Sequence, residues 1–248
     1  MSFLTSHPIL FPAFLTLLFA VPIFFLRLIW LLPPRVLEDP PPQQPLRKLG
    51  TPTHLLIVLG SGGHTAEMLA MLRNLDTAHV TRRSYIVSSG DDFSARKAVD
   101  FEQTLEERAA TQDGKSSNVG PAAYSIHVVP RARRIYQPLY TAPFTSAQCF
   151  AGCLRVLLAG RKQERPDLIV TNGPATAVIV VFAALVLKFA GLAGRGKMRT
   201  VYVESFARVK RLSLSGRILV WVVDRFLVQW ETLRKQLGAK AEYRGVLV

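Results

Sequence analysis

The chain has 248 residues, 49% of them hydrophobic, which is enough for a sizeable core in one or two domains. Its net charge of +14 calls for an anionic partner: nucleic acid, a lipid surface or a phosphorylated small molecule. The only cysteines, Cys149 and Cys153, stand four apart in a helix-like stretch and read as small buried apolar residues, so nothing requires an oxidising compartment or a thiolate metal site.

Residues 8–32 carry a single charge, Arg27, and the apolar run 9–32 is long enough for a hydrocarbon core of ~30 Å. Pro12 and Pro22 kink such a helix without forbidding it. No Lys or Arg precedes Arg27, whereas Arg35, Arg47 and Lys48 follow it. The basic flank belongs on the cytosolic side, which favours a signal anchor with a lumenal N-terminus over a cleaved signal peptide. Residues 33–52 hold seven prolines and read as a stiff tether. The expected organisation is an anchor over 1–32, a linker over 33–52 and a cytosolic domain over 53–248.

In that domain, short runs rich in Val, Ile and Leu alternate with helical patterns. "HLLIVLG" (54–60) predicts a strand and 65–75 a helix; "SYIVSSG" (84–90) predicts a second strand, with a charged helix to about 108. The polar stretch 111–123 reads as a surface loop, "YSIHVVP" (124–130) as a strand and 144–162 as a helix. "PDLIVTNGP" (166–174), "TVYVES" (200–205) and "RFLVQW" (225–230) complete the strands, with a helix over 214–223. Residues 175–193 are apolar throughout except Lys188, but they fill the slot of a crossover helix, so a buried or membrane-grazing helix is preferred to a second span. Alternating strands and helices imply an α/β fold: one Rossmann-like parallel sheet covered on both faces.

Two glycine turns end predicted strands. In such sheets ligands bind beyond the carboxyl ends of the strands, with phosphates at helix N-termini. Gly60, Gly62 and Gly63 follow the first strand and bring backbone amides close to a ligand, while Ser61 and Thr65 add hydroxyls or cap the helix. "GSGGHT" lacks the third glycine of a dinucleotide fingerprint and the lysine of a P-loop. A turn needed only for tight packing would look similar. His64 stands where it can take a proton from an attacking hydroxyl; capping or orienting a ligand is its alternative role. Glu67 orients His64, acts as the base itself or complements the helix dipole. Asn172 and Gly173 end another strand and face the same crevice. Arg131, Arg133 and Arg134 follow the third strand and suit a diphosphate, or else form a solvated face near anionic lipid. Between 188 and 217, eight Lys or Arg face one acid, Glu204, an excess that reads as attraction to a membrane surface because no base-reading motif accompanies it.

The blocks "LIVLGSGGHTAEML", "VVPRARR", "PDLIVTNGPAT", "VYVESFARVKRLSLSGR", "DRFLVQWETL" and "YRGVLV" together resemble the membrane-anchor subunits of the eukaryotic UDP-N-acetylglucosamine transferase of dolichol-linked oligosaccharide synthesis. The glycine loop with its histidine is also similar to the first loop of the bacterial lipid II N-acetylglucosaminyltransferase. The resemblance implies the N-terminal, acceptor-side half of a split GT-B glycosyltransferase. Gly60, Ser61, Gly62, Gly63, His64 and Thr65 then face the acceptor diphosphate, with Asn172, Gly173 and Pro174 opposite. Glu204, Arg208 and Ser213 line the cleft or the partner contact. Ala175 departs from a position where relatives are expected to carry glycine, and Gln137-Pro138 alters the stretch after the arginines.

The implied function is to bring a small cytosolic catalytic subunit, which binds the sugar donor, to the endoplasmic reticulum membrane and to bind the lipid acceptor. N-acetylglucosamine then passes from UDP-N-acetylglucosamine to N-acetylglucosaminyl-diphospho-dolichol with inversion. The upstream N-acetylglucosamine-phosphate transferase is a further partner in view. No metal, cofactor or nucleic acid is expected, and "AEYRGVLV" is expected to dock the partner. The competing reading from another class is a pure membrane scaffold with structural glycine loops. A tethered dinucleotide-binding oxidoreductase is disfavoured by the missing third glycine.

Overall fold

The computed structural model describes residues 10–32, 51–111, 118–133, 137–173, 175–194 and 196–248. Seven strands run β1 (His54–Val58), β2 (Arg82–Ser88), β3 (Tyr124–Val129), β4 (Leu168–Asn172), β5 (Arg199–Val203), β6 (Arg225–Val228) and β7 (Glu242–Tyr243). They form one sheet, every neighbouring pair parallel, in the order β3-β2-β1-β4-β5-β6-β7. Seven α-helices accompany it among the described residues: α1 (Leu10–Leu31), α2 (Gly63–Met71), α3 (Asp92–Thr111), α4 (Ala142–Leu158), α5 (Thr176–Phe189), α6 (Leu214–Leu219) and α7 (Glu231–Leu237). The expected parallel α/β sheet is present. The polar loop was expected over 111–123; its residues 112–117 lie outside the described residues.

The strands are apolar on both faces because both are covered. On one face, Leu56, Val58, Ile86 and Val129 meet Cys149, Cys153 and Leu157 of α4 and Val180, Ala183, Ala184 and Leu187 of α5. On the other, Leu55, Ile57, Tyr85 and Val87 meet Met68 of α2 and Ala98, Phe101 and Leu105 of α3. A third cluster joins Tyr202, Phe226 and Val228 to Ala177, Val181, Leu219 and Leu233. Both cysteines are free and buried. The β2–α3 packing also holds a buried ion pair: Arg83 donates to Glu102 at 2.8 and 2.7 Å, and Tyr85 adds its hydroxyl at 2.6 Å. Burial and that carboxylate raise the Tyr85 phenol, so it remains a donor.

The segment 175–193, for which a second span was the alternative, is a crossover helix. At 14 residues α5 is roughly 21 Å long, and Ala177, Val180, Val181 and Leu187 lie in the core.

The apolar N-terminal run does form a helix, α1, with Pro22 inside it. It leans on α5 near the latter's C-terminus, where Arg27 donates to the Phe189 carbonyl at 2.6 Å and Phe24 sits 4.9 Å from the Phe189 ring. Among the described residues no helix is long and apolar enough to cross a membrane. Most of the proline-rich tether lies outside the described residues.

Candidate active site

Strand order reverses direction between β1 and β4, the switch point at which an open α/β sheet leaves a crevice beyond its carboxyl ends. Val58 pairs with Thr171 there, so the glycine loop after β1 and the Asn172–Gly173 turn after β4 emerge side by side at one end of the sheet. Ser61, Gly62 and Gly63 are exposed at that mouth. Gly62 is the N-cap of α2 at φ 61°, and no side chain caps the helix. The amides of Gly63 and His64, the first two of the helix, have no acceptor within it and are open to a ligand, whereas the Thr65 amide already donates to the Gly62 carbonyl at 3.1 Å. Of the two roles open to Ser61 and Thr65, capping the helix is thus not one that either side chain fills.

Gly60 and Gly173 make room for the His64 side chain. A Cβ on Gly60 would lie 2.7 Å from the His64 Cβ, and one on Gly173 would lie 2.9 Å from the His64 Cγ. The imidazole is wedged between two backbones that only glycine leaves room for. Gly173 also has φ 88°, whereas Gly60 and Gly63 are not in the left-handed region.

His64 keeps 31% of its side chain exposed at the crevice and Glu67 keeps 17%. The His64 Nδ1 is 3.0 Å from the Asn172 Oδ1, and the Asn172 amide donates to the Glu67 Oε2 at 2.9 Å. The other carboxylate oxygen of Glu67 accepts from the Ser205 hydroxyl at 2.8 Å. A turn, a helix, a strand end and the loop after β5 therefore share one chain of hydrogen bonds. Ser205 is the residue that sequence reasoning missed; its one signal was adjacency to Glu204.

Thr65 does not face a ligand. It is fully buried, bonds the Gly60 carbonyl and lies 2.7 Å from the Ser94 hydroxyl, pinning the glycine loop to α3. Arg131 follows β3 at the crevice end, and its backbone amide donates to the Ser89 hydroxyl at 3.1 Å. Its Nε is buried with no hydrogen-bond partner among the described residues. Arg133 is exposed and spends an Nη on the Gln137 carbonyl at 3.2 Å. Arg134 and Pro174 lie outside the described residues.

Glu204 and Ser213 do not line the cleft as open side chains. Glu204 is 1% exposed; its carboxylate accepts from the Ser205 and Ser213 amides and the Ser213 hydroxyl, all at 3.0 Å. Ser213 in turn caps α6 by accepting from the Gly216 amide at 2.9 Å. Burial and the Glu204 charge raise the Tyr202 phenol, which stays protonated 3.3 Å from the Ser213 hydroxyl. This clasp closes residues 204–213 into a rigid loop whose crown, with Phe206, Arg208, Val209, Lys210 and Arg211, is exposed. The Trp230 indole ties the loop down through the Phe206 carbonyl at 2.6 Å.

The α2 side of β4–β6 is open. Met68, Met71, Val170, Val201, Leu227 and Leu247 line a groove of about 450 Å³ there. The C-terminal stretch expected to be a docking strand is partly used within the chain, since Glu242–Tyr243 pairs with β6 and the Leu247 amide donates to Gln229 at 3.2 Å.

Fold and site thus define a single Rossmann-like unit with a crevice at its switch point. The family model described as "Oligosaccharide biosynthesis protein Alg14 like" matches residues 55–247, and the chain belongs to that family. It is 42% identical over 195 residues to the UDP-N-acetylglucosamine transferase subunit alg14 of Schizosaccharomyces pombe, covering 78% of this chain and 83% of that one. To the subunit ALG14 of Mus musculus it is 37% identical over 194 residues, covering 78% and 82%. Among solved structures, Arabidopsis thaliana UGT89C1 complexed with quercetin superposes at a TM-score of 0.45 and 10% identity, over 80% of this chain and 51% of that one.

Proposed function

We propose that this chain is the membrane-bound, acceptor-side subunit of a heteromeric β1,4-N-acetylglucosaminyltransferase. Its relatives are named as subunits of a UDP-N-acetylglucosamine transferase, and the family is one of oligosaccharide biosynthesis. The observation that carries the reading is the convergence of the glycine loop, His64 and Asn172 on one crevice of a lone Rossmann-like unit, with Arg131 at the same end of the sheet, two strands away. A GT-B enzyme needs two such halves, so a small cytosolic partner supplies the donor pocket. The exposed 206–211 loop and the apolar groove over β4–β6 are the surfaces for it.

In this reading the acceptor is N-acetylglucosaminyl-diphospho-dolichol. Its diphosphate sits on the α2 amides and Arg131. A hydroxyl of the acceptor sugar loses its proton to the base as its oxygen attacks the anomeric carbon of UDP-N-acetylglucosamine. The bond to the donor diphosphate breaks, and UDP leaves with the electron pair. Helix α1, with its one charge, anchors the chain in the endoplasmic reticulum membrane with the domain on the cytosolic face. The basic stretch 188–217 adds attraction to anionic lipid.

The test is to purify the full chain with its N-terminal segment, identify what co-purifies and measure transfer from radiolabelled UDP-N-acetylglucosamine. Transfer that needs both the chain and a co-purifying small subunit is the expected result. Recruitment of a partner with transfer unchanged in His64→Ala would favour the scaffold reading instead.

A further inference from the structure

The chain of hydrogen bonds at the switch point has a direction. A carboxylate only accepts, so Glu67 draws the NH2 of Asn172 to itself at 2.9 Å, and this turns the Asn172 carbonyl oxygen toward His64 at 3.0 Å. Facing a carbonyl, the His64 Nδ1 must donate. The proton of the neutral ring is therefore on Nδ1, and Nε2 keeps its lone pair. Among the described residues Nε2 has no hydrogen-bond partner, while the ring is held between Gly60 and Gly173. Ser205 fixes the far end by donating to the second oxygen of Glu67, and the Ser205 amide is itself held by the buried Glu204.

We infer that His64 is the proton acceptor through Nε2 and that Asn172 and Glu67 are positioning residues that set its tautomer and aim. This rests on the acceptor-site reading and resolves the choice between His64 and Glu67. Both oxygens of Glu67 already accept hydrogen bonds from protein groups, so its carboxylate does its work on Asn172 rather than on the substrate. The charged group facing His64 is Glu67, 3.9 Å away on the same helix; β4 contributes the neutral Asn172 and the loop after β5 the neutral Ser205.

The experiment exchanges the two positioning groups in the full-length chain co-expressed with its transferase partner. In the double variant that combines Asn172→Asp with Glu67→Gln, the amide introduced on α2 donates to the carboxylate introduced at the end of β4. That carboxylate accepts from His64, and the carbonyl oxygen of the introduced amide still accepts from Ser205. Every bond is kept, but no carboxylate remains on α2. The double variant should turn over within about 10-fold of the native complex. Asn172→Leu, which gives His64 no acceptor, should lower kcat about 10²-fold or more with KM for the lipid acceptor unchanged, because an imidazole in the wrong tautomer is a poor base. A double variant as slow as His64→Ala would make Glu67 the proton acceptor and overturn the inference, as would an Asn172→Leu complex at native kcat. If Asn172→Leu fails to assemble, the double variant decides alone. A His64→Ala complex at native rate would instead sink the acceptor-site reading itself.

Discussion

The two halves of the sheet are finished differently. On β1 and β2 both faces are covered by helices, and even a buried arginine, Arg83, has a bidentate carboxylate. From β4 to β6 the α5 side is packed in the same way, but the α2 side lies open as a groove lined by methionine and branched aliphatic residues. The open half carries apolar surface that soluble monomers rarely leave bare, and in the proposed reading a second polypeptide covers it. The crevice lies on the boundary between them, rigid on one side and awaiting a partner on the other.

Four substitutions break or sharpen that contrast. Glu102→Ala leaves Arg83 charged and unpaired in the closed half and should lower the unfolding free energy by about 3–5 kcal/mol in denaturant melts. An unchanged melt would mean the closed half does not depend on its interior polar pairing. Gly173→Ala places a methyl group against the His64 ring at a left-handed backbone position. It should cost about 1–2 kcal/mol of stability and a larger share of kcat than of KM, read from transfer kinetics on the complex. In the open half, Leu227→Asp should change the melting free energy by only about 1 kcal/mol, because the side chain is half-buried at the groove. It should nevertheless weaken partner capture at least about 10-fold in pull-downs; capture at native strength would place the partner elsewhere. The smallest effect is expected at the boundary. Ala175 opens α5 at φ 43°, so Ala175→Gly should raise stability by about 1 kcal/mol, seen as a small rise in thermal midpoint.

That strained alanine also shows what the sequence made legible. Its departure from an expected glycine was visible in the chain, and the positive φ supplies the physical reason. The apolar runs placed the first six strands within a few residues, because a parallel strand buried on both faces has little choice but Val, Ile and Leu. Helix α7 was not seen, since "ETLRKQLGAK" has weak apolar periodicity, and the stretch that holds the two-residue β7 was read as a docking strand or tail for the partner, whereas it pairs with β6 of its own sheet. The glycine loop and His64 were legible as a unit because their residues are adjacent. The partners that give them meaning were not. Asn172 reaches Glu67 across 105 residues and Ser205 reaches it across 138, and no local pattern records a bond of that kind. Thr65 was misread for the same reason: its hydroxyl is taken up by Ser94, which α3 delivers from 29 residues away.

The most direct test of the account is equilibrium binding to the purified full-length chain in the absence of any partner, with a short-chain N-acetylglucosaminyl-diphospho-lipid and UDP-N-acetylglucosamine titrated separately. The lipid diphosphate should bind saturably, with affinity lowered about 10-fold or more by Arg131→Ala, and the sugar nucleotide should not bind. Saturable binding of UDP-N-acetylglucosamine to the chain alone, with the lipid diphosphate inert, would contradict the assignment of this crevice to the acceptor.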